Sequence, residues 1–385
     1  MSITIERLKG YDYEQLIDFI DLVYSQYKRP HHFPRDLPLL FAPTDEYMRN
    51  QYVIREGGKI RSVVGAIPYT YFVGSERFTT KTIANVSTHH LHTGKGYMQL
   101  LLAQVIEDMK AEGVDFATLH GHRERYRYSG FESAGVTNQA RFTKSNALNL
   151  IKKGQETLYH FKELSEKDSD EIRQCISLFE KEPQHYRRPE DTFMHTMHMW
   201  HSTPYLVLDN KENFCGYCNV NAQKNHIQEL LLLDSNIASE VISSFILEFD
   251  LSNVTINLSP FNKEMLRIAY STSESISTNI MCQVSIYQFE RLLAACLNIK
   301  KKFVSYMPKG QFVLSSMFGR HLIQNDGSFT VTQTNHTENI VINGYEVYSF
   351  LFGPSEYVIP YDRDMLGPFS TWFPVPLYIH SVDRY

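Results

Sequence analysis

The stretch Val86–Gln99 reads V-S-T-H-H-L-H-T-G-K-G-Y-M-Q. It closes a β-leaning run, passes through a tight Gly-x-Gly turn and opens a strongly apolar helix. From Tyr97 to Glu112, the residues Met98, Leu101, Leu102, Val105, Ile106 and Met109 recur three and four apart, the spacing of one buried helix face. Gly113 follows where a left-handed cap would stop that helix, with Lys110 in its last turn. A new strand is expected at once over Val114–Leu119. Strand, glycine turn, helix and strand in about 35 residues form a βαβ-like unit. Its helix opens on N–H groups with no partner of their own, so the turn is an anion site.

Working outward, 385 residues are too many for one ordinary core, so two or three domains are expected. Hydrophobic residues make up 43% of the chain and aromatics 13%, a share that points to sizeable cores and pockets rather than disorder. A net charge of −5 without a long basic block argues against a dedicated nucleic-acid binder. No long uncharged apolar window appears, and the start M-S-I-T-I-E-R-L is no signal peptide. Five cysteines, Cys175, Cys215, Cys218, Cys282 and Cys296, are too scattered for a disulfide framework. The expectation is a soluble cytoplasmic protein with no membrane or nucleic-acid partner.

Before the glycine turn, Ile3–Leu8 reads as a short strand. Asp12–Tyr27 reads as an amphipathic helix burying Leu16, Phe19, Ile20 and Val23, with Asp12 and Gln15 as a capping pair. Arg29–Leu40 contains three prolines and is expected to be an extended, exposed loop. Tyr52–Arg55, Ile60–Phe72 and Phe78–Thr88 form a strand meander turning at Gly57-Gly58 and Gly74-Ser75. After the turn, the polar, lysine-rich Asn146–Lys167 is a reasonable boundary. Residues 155–290 then repeat a mixed pattern. Helices are expected over Asp170–Glu180, Asp191–His201 and Ala238–Phe249. Strands are expected over Tyr205–Leu208, Phe214–Val220, Ile227–Leu233 and Val254–Leu258. Tyr287–Leu297 reads as a helix, and strands lead from it to an aromatic tail. The class is α+β, mostly antiparallel sheets flanked by helices, in three domains at 1–150, 151–290 and 291–385.

Which phosphate the turn holds can be tested against motifs. A Walker loop fails at Gly94-Lys95-Gly96-Tyr97, and a dinucleotide fingerprint fails because Tyr97, Met98 and Gln99 follow Gly96. Thr93–Met98, preceded by an antiparallel meander, resembles instead the acyl-CoA pyrophosphate loop of the GNAT superfamily of N-acetyltransferases, written Q/R-x-x-G-x-G/A. Gly96 matches, while Thr93 and Met98 depart from the pattern at positions where backbone N–H groups do the cradling. The run A-T-L-H-G-H-R-E-R-Y-R-Y-S-G-F-E at 117–132 is similar to that family's strand followed by Y-x-x-x-G-F, with Tyr126 at the tyrosine. Length and layout resemble the enhanced-intracellular-survival branch, in which a catalytic domain precedes a degenerate second copy and a sterol-carrier-like C-terminal domain. The segments G-Y-C-N-V-N, I-Q-E-L-L-L-L-D, S-P-F, M-C-Q-V-S-I-Y-Q-F-E-R-L-L and W-F-P carry that likeness across nearly the whole chain.

The resemblance implies acetyl-CoA as co-substrate, an amine acceptor, no metal, and a homo-oligomer, a hexamer being the form in view. By the same resemblance Val86, Ser87 and Thr88 contact the pantetheine arm, and Gly94, Lys95, Gly96, Tyr97, Met98 and Gln99 hold the pyrophosphate. Gly121 and His122 flank the splayed strand, and Tyr126 is the general acid. A tyrosine with pKa ~10 is a serviceable donor to a departing thiolate. The branch's base is a C-terminal carboxylate, here that of Tyr385. His31, His32 and Phe33 would line the acceptor pocket as early loops do in the family, and a proton-relay or substrate role is open to His120 or His122. The competing class is a non-catalytic CoA- or lipid-binding protein on the same scaffold.

Other signals are read as structural. In a strand, only His90 and His92 of the trio His89, His90 and His92 would share a face, and no acid or cysteine accompanies them, so polarity of the loop is preferred to a metal site. His195, His198 and His201 fall on one side of the expected helix and read as a polar face. Cys215 and Cys218 lie within a strand and read as core thiols. The rings Phe369, Trp372, Phe373 and Tyr378 are assigned to packing that delivers the C-terminus to the site.

Overall fold

The computed structural model describes residues 3–26, 31–150, 158–353 and 363–384. A meander of β1 (Ile3–Arg7), β2 (Gln51–Glu56), β3 (Lys59–Val73) and β4 (Glu76–Thr88) builds one arm of a large sheet. Its hairpins turn where the glycines predict, with Gly57, Gly58 and Gly74 at φ of +61°, +76° and +61°, values that favour a residue without Cβ. Side chains alternate across the arm. Val53, Val63, Ile67 and Ala84 face α1 (Tyr13–Ser25) and α2 (Phe33–Asp36). Tyr52, Ile54, Val64 and Ile83 face α3 (Tyr97–Ala111) through Leu101, Leu102 and Val105. Helix α3 is the crossover that returns the chain as β5 (Phe116–Leu119), parallel to β4. Gly113 ends α3 at φ +73°, as its cap signature requires.

Beyond α4 (Arg123–Tyr126), β6 (Glu132–Thr143) starts the second arm. It continues through β7 (Tyr159–Glu163), β8 (Gln184–Tyr186), α5 (Phe193–Met197), β9 (Thr203–Asp209), β10 (Phe214–Val220) and β11 (His226–Leu232). A second parallel pair, β11 with β12 (Asn253–Leu258), is bridged by α6 (Ala238–Glu248). The two arms are welded by β13 (Ser275–Ile286), which pairs antiparallel with β5 on one side and β6 on the other. The sheet has 13 strands among the described residues, in the order β1-β2-β3-β4-β5-β13-β6-β12-β11-β10-β9-β7, with β8 added to the outer part of β3. Helix α7 (Phe289–Phe303) then packs beside a separate sheet of β14 (Gly310–Ser316), β15 (Gly319–Asn325), β16 (Phe329–Gln333) and β17 (Ile340–Val341).

The tail threads back between the arms. Tyr71 donates its hydroxyl hydrogen to the Tyr378 carbonyl at 2.5 Å, and Asn257 donates to the Ser381 hydroxyl at 2.7 Å. Arg188, 2% exposed, forms a bidentate pair with Glu229 at 2.7 and 2.8 Å and another with Asp383 at 2.9 and 2.8 Å. His380 bridges Glu229 at 3.0 Å and Glu182 at 3.5 Å. Arg188, Glu229 and Asp383 satisfy one another, which is the condition for burying them at all, while His380 Nε2 and Glu182 Oε2 face each other as an ion pair without a hydrogen bond.

Four local expectations need correction. Residues 31–40 are not an exposed loop: Pro34 opens the short helix α2, and Phe33, Leu37 and Leu40 are buried against α1. Pro34 fixes the turn instead of holding the chain out, and Arg29 and Pro30 lie outside the described residues. His90–His92 form a 3₁₀ turn, not a strand. The helix expected over Asp191–His201 breaks after α5, where Trp200 and His201 take φ of +55° and +60°. Asp12 and Gln15 do not cap each other; both bind the Arg55 guanidinium.

Candidate active site

The parallel pairing of β4 and β5 spans only Thr80–Ile83 against Phe116–Leu119. Past that point the strands part. A bulge between Val63/Ser87 and Gly65/Ala84 turns β4 away, with Asn85 at φ +58°, a device that re-aims a strand at its edge. On the other side β5 is held by β13, and the Gly121 N–H donates to Gln283 Oε1 at 3.1 Å. Between the diverging strands the β5-facing backbone of Val86, Ser87 and Thr88 lies unladdered. Their other edge is fastened, the Ser62 hydroxyl bonding the Ser87 carbonyl and Thr88 hydroxyl, each at 2.9 Å.

At the wide end lies the glycine turn. Gly94 and Gly96 take φ of +80° and +77°, and nothing comes within 4 Å of a Cβ placed on Gly94. The N–H groups of Gly94, Gly96, Tyr97, Met98 and Gln99 have no backbone partner among the described residues. A left-handed turn feeding a 15-residue helix with its first amides free is a cradle for a di-anion. Glu56 braces the turn from the β2–β3 hairpin, accepting from Lys95 at 3.3 Å and the Tyr97 hydroxyl at 3.1 Å and pairing with His92 at 2.9 Å. Burial opposes its charge, but those donors hold the carboxyl below the ordinary range. His92 is thus committed to Glu56, while His89 and His90 stack with centroids 4.5 Å apart. No group of three or more His, Cys, Asp or Glu is placed to hold a metal ion among the described residues.

At the narrow end a cavity of about 150 Å³ opens beside Asn85, Val86, Leu119 and His120. Tyr126 closes it from α4. Its ring packs flat on Gly121, where a Cβ would lie 2.5 Å from Tyr126 Cε2. Burial raises the Tyr126 pKa, and the Arg125 guanidinium, hydrogen-bonded to the hydroxyl, pulls it partly back. The group therefore stays protonated at neutral pH. His120 opens onto the cavity and is accessible to solvent through it, yet protein surrounds the ring. Desolvation, then the nearby Arg384 cation, lowers its pKa to about 4, so the ring is neutral at pH 7. Arg384 is positioned by the tail, with Nη1 3.5 Å from the Met281 carbonyl on β13. His122 is exposed at the start of α4. Tyr385 lies outside the described residues.

Sequence reasoning placed His31 and Phe33 near this cavity, and the structure stacks their rings at 5.1 Å, with Phe33 in the lining and Tyr24 edge-on at 5.0 Å. His32 is exposed and gives its N–H to Asp36 at 3.2 Å. Missed altogether were Tyr24, Asn85 and Trp200. Asn85 carried a signal, a polar residue in the middle of a buried strand. Trp200 carried none, since only the meeting of the two arms brings it here. A larger cleft of about 660 Å³ shares no lining residue with the smaller one. Its charges are largely paired internally, Arg7 and Lys81 with Glu112, and Arg188 with Asp383, so size does not make it the reaction site.

Free loop amides, parted parallel strands and a buried tyrosine all fall within the first third of the chain. Residues 4–134 match the acetyltransferase (GNAT) domain family. Solved structures share the fold over the length of the chain. A probable N-acyltransferase of Enterococcus faecalis superposes with a TM-score of 0.71 at 12% identity, covering all of both chains. A GCN5-related N-acetyltransferase of Kribbella flavida gives 0.70 at 13%, covering all of this chain and 98% of that one. Eis1 of Mycobacterium abscessus gives 0.61 at 12%, covering 90% and 88%. No curated protein matches. The domain match supports acyl transfer from an acyl-CoA, and the structural likenesses show the α+β fold. No helix among the described residues is long and apolar enough to cross a membrane.

Proposed function

We propose that this protein is an acetyl-CoA-dependent N-acetyltransferase acting on a primary amine. The observation that carries the reading is the alignment of three features along one strand edge: the amides of Gly94, Gly96 and Tyr97–Gln99 without backbone partners, the open backbone of Val86–Thr88, and Tyr126 at the narrow end. The thioester supplies the acyl group when bound. The loop amides take the pyrophosphate, and the strand edge takes the amide-bearing arm. The amine nitrogen attacks the carbonyl carbon, the C–S bond breaks, and Tyr126 gives its proton to the leaving sulfur. The proton shed by the amine goes to the Tyr385 carboxylate, through the neutral His120 ring; a pKa near 4 suits His120 to relay a proton and not to keep one. Arg384 beside His120 supports that route. Two acetyltransferase-like arms and a C-terminal lipid-carrier-like unit remain the preferred partition at 1–150, 151–290 and 291–385, the echoed parallel pair β11/β12 with its crossover α6 supporting the second.

The test is thiol release from acetyl-CoA with a panel of amines, comparing the native protein with Tyr126→Phe. Turnover should fall at least ~tenfold in the variant, within the range for a lost general acid, with acetyl-CoA affinity unchanged. Equal turnover removes Tyr126 from the mechanism. No release above the amine-free rate with any amine defeats the enzyme reading.

A further inference from the structure

The acceptor cavity is built by both arms of the sheet, and its walls are rings. Phe33 contributes one face, Tyr24 stands edge-on to it, and Trp200 enters from the opposite arm. Trp200 reaches this place through two consecutive residues in the left-handed region, at φ +55° and +60°. A bulky Trp does not adopt that conformation cheaply, so surrounding contacts must hold it. They are visible: His201 Nε2 pairs with Asp36 at 3.1 Å, pinning the turn to α2, and the Trp200 ring lies edge-on to His31 at 6.3 Å. Trp200 remains 41% exposed, so its ring presents an open face and is not core filling.

The rest of the apolar wall comes from Phe41, Leu37, Leu40 and Ile83. Its polar points are the two tyrosine hydroxyls, His120 and Asn85, whose Oδ1 is buried without a partner. No carboxylate lines the cavity among the described residues. Asp36, the nearest acid in the chain's own α2, is already engaged by His201, Arg35 and the His32 N–H. Asp21 interacts with His31 and His32 and is absent from the lining. The nearby cations are Arg125, on the Tyr126 hydroxyl, and Arg384, beside His120. A polycation would bring several charges to a wall without a carboxylate among the described residues and with two fixed positive groups beside it; the single carboxylate of the proposed mechanism, that of Tyr385, is engaged as base.

Size narrows the choice further. A cavity of about 150 Å³ with a ring-lined wall accommodates one benzene-sized group. We infer that the acceptor is a primary monoamine on a compact apolar or aromatic body, the body held between Tyr24, Phe33 and Trp200 and the nitrogen directed toward Tyr126 and Asn85. This rests on the acyltransferase reading and specifies its substrate class. Asn85 Oδ1 accepts one N–H of the amine, which orients the lone pair.

The experiment measures kcat/KM for thiol release from saturating acetyl-CoA with phenethylamine, hexylamine, spermidine and a kanamycin-type aminosugar, using the full chain. Phenethylamine should exceed spermidine at least ~tenfold, the scale on which an apolar pocket discriminates. Trp200→Asp, a residue type tolerated in the left-handed region, should raise the KM for phenethylamine ~tenfold and shift preference toward spermidine by placing a carboxylate in the wall. If the native enzyme prefers spermidine or the aminosugar, the inference is wrong while acyl transfer stands. If no amine accelerates thiol release, acyl transfer itself is wrong, and the inference falls with it. A Trp200→Asp enzyme with native preferences removes Trp200 from acceptor selection, and the native panel decides the amine class even if that variant fails to fold.

Discussion

Gly121→Ala is the substitution most directly tied to the proposed chemistry. The added Cβ would lie 2.5 Å from Tyr126 Cε2 and 3.2 Å from Cδ2. Carbon atoms pack at about 3.5–4.0 Å, so the tyrosine ring must retreat by about 1 Å. It cannot do so freely, because it is 5% exposed and packed into the core around α3. The overpacking should cost about 1–3 kcal/mol of stability, which leaves a folded protein. The hydroxyl at the far end of the ring moves at least as far as the ring itself. A 1 Å displacement of a catalytic group costs up to ~10²-fold in rate. Stopped assays of thiol release should therefore show kcat falling roughly 10- to 100-fold, with acetyl-CoA KM within about twofold of native. The mechanism also fixes a ceiling. If the loss acts only through the Tyr126 hydroxyl, then in the Tyr126→Phe background Gly121→Ala should add almost nothing, a strongly non-additive cycle. Full additivity, with the same loss repeated in the double variant, would refute the claim that Gly121 serves the tyrosine. An unchanged kcat in the single variant would refute the placement of Tyr126 at the leaving sulfur.

Two further outcomes follow from other parts of the structure. Gly96→Ala puts a Cβ at φ +77°, a cost of about 1–2 kcal/mol, so calorimetric titration should show acetyl-CoA affinity weakened several-fold with kcat nearly native; a variant that loses kcat and keeps affinity would place the turn elsewhere in the mechanism. His380 gives a pH dependence. Burial disfavours its charge, but ion pairs with Glu182 and Glu229 outweigh that and raise its pKa from 6.5 to about 9. A raised folded-state pKa means the stabilisation is complete below about pH 6.5 and is lost as pH rises through 9. The shift corresponds to about 3 kcal/mol, so urea midpoints should drop between pH 6.5 and 9.5 in the native protein and much less in His380→Gln, with equal slopes in both counting against a charged His380.

What was legible in the sequence was local. The apolar spacing of α3, its Gly113 stop, the hairpin glycines and the Gly94/Gly96 turn are each decided within a few residues, and all appear where expected. The prolines of 30–38 misled because the same fixed φ that breaks a helix interior also starts a helix, and burial of Phe33, Leu37 and Leu40 decided between those outcomes. No local pattern could place β13 between β5 and β6, since that position is set by pairing across more than a hundred residues. The tail is the extreme case: Tyr71 and Tyr378 meet across 307 positions, and Arg188 and Asp383 across 195.

The division has a physical consequence for how such an enzyme can change. In the proposed mechanism the acid chemistry would depend on Gly121 touching Tyr126, five positions on along one short segment, so it would be kept or lost as a unit. The acceptor wall depends on Trp200, His201 and Asp36 meeting from two arms. Replacing one ring there alters the choice of amine without touching a strand pair, a loop amide or the tyrosine. On the proposed reading, selectivity would be carried by the contacts least visible in sequence, and reaction type by those most visible. The distinction is measurable: changes at Trp200 should move KM between amines while leaving the amine-independent affinity for acetyl-CoA alone, whereas changes at Gly96 should move that affinity equally for every amine. Coupling of the two effects in a Gly96→Ala, Trp200→Asp double variant by more than about 0.5 kcal/mol would show that the two ends of the strand edge are not independent.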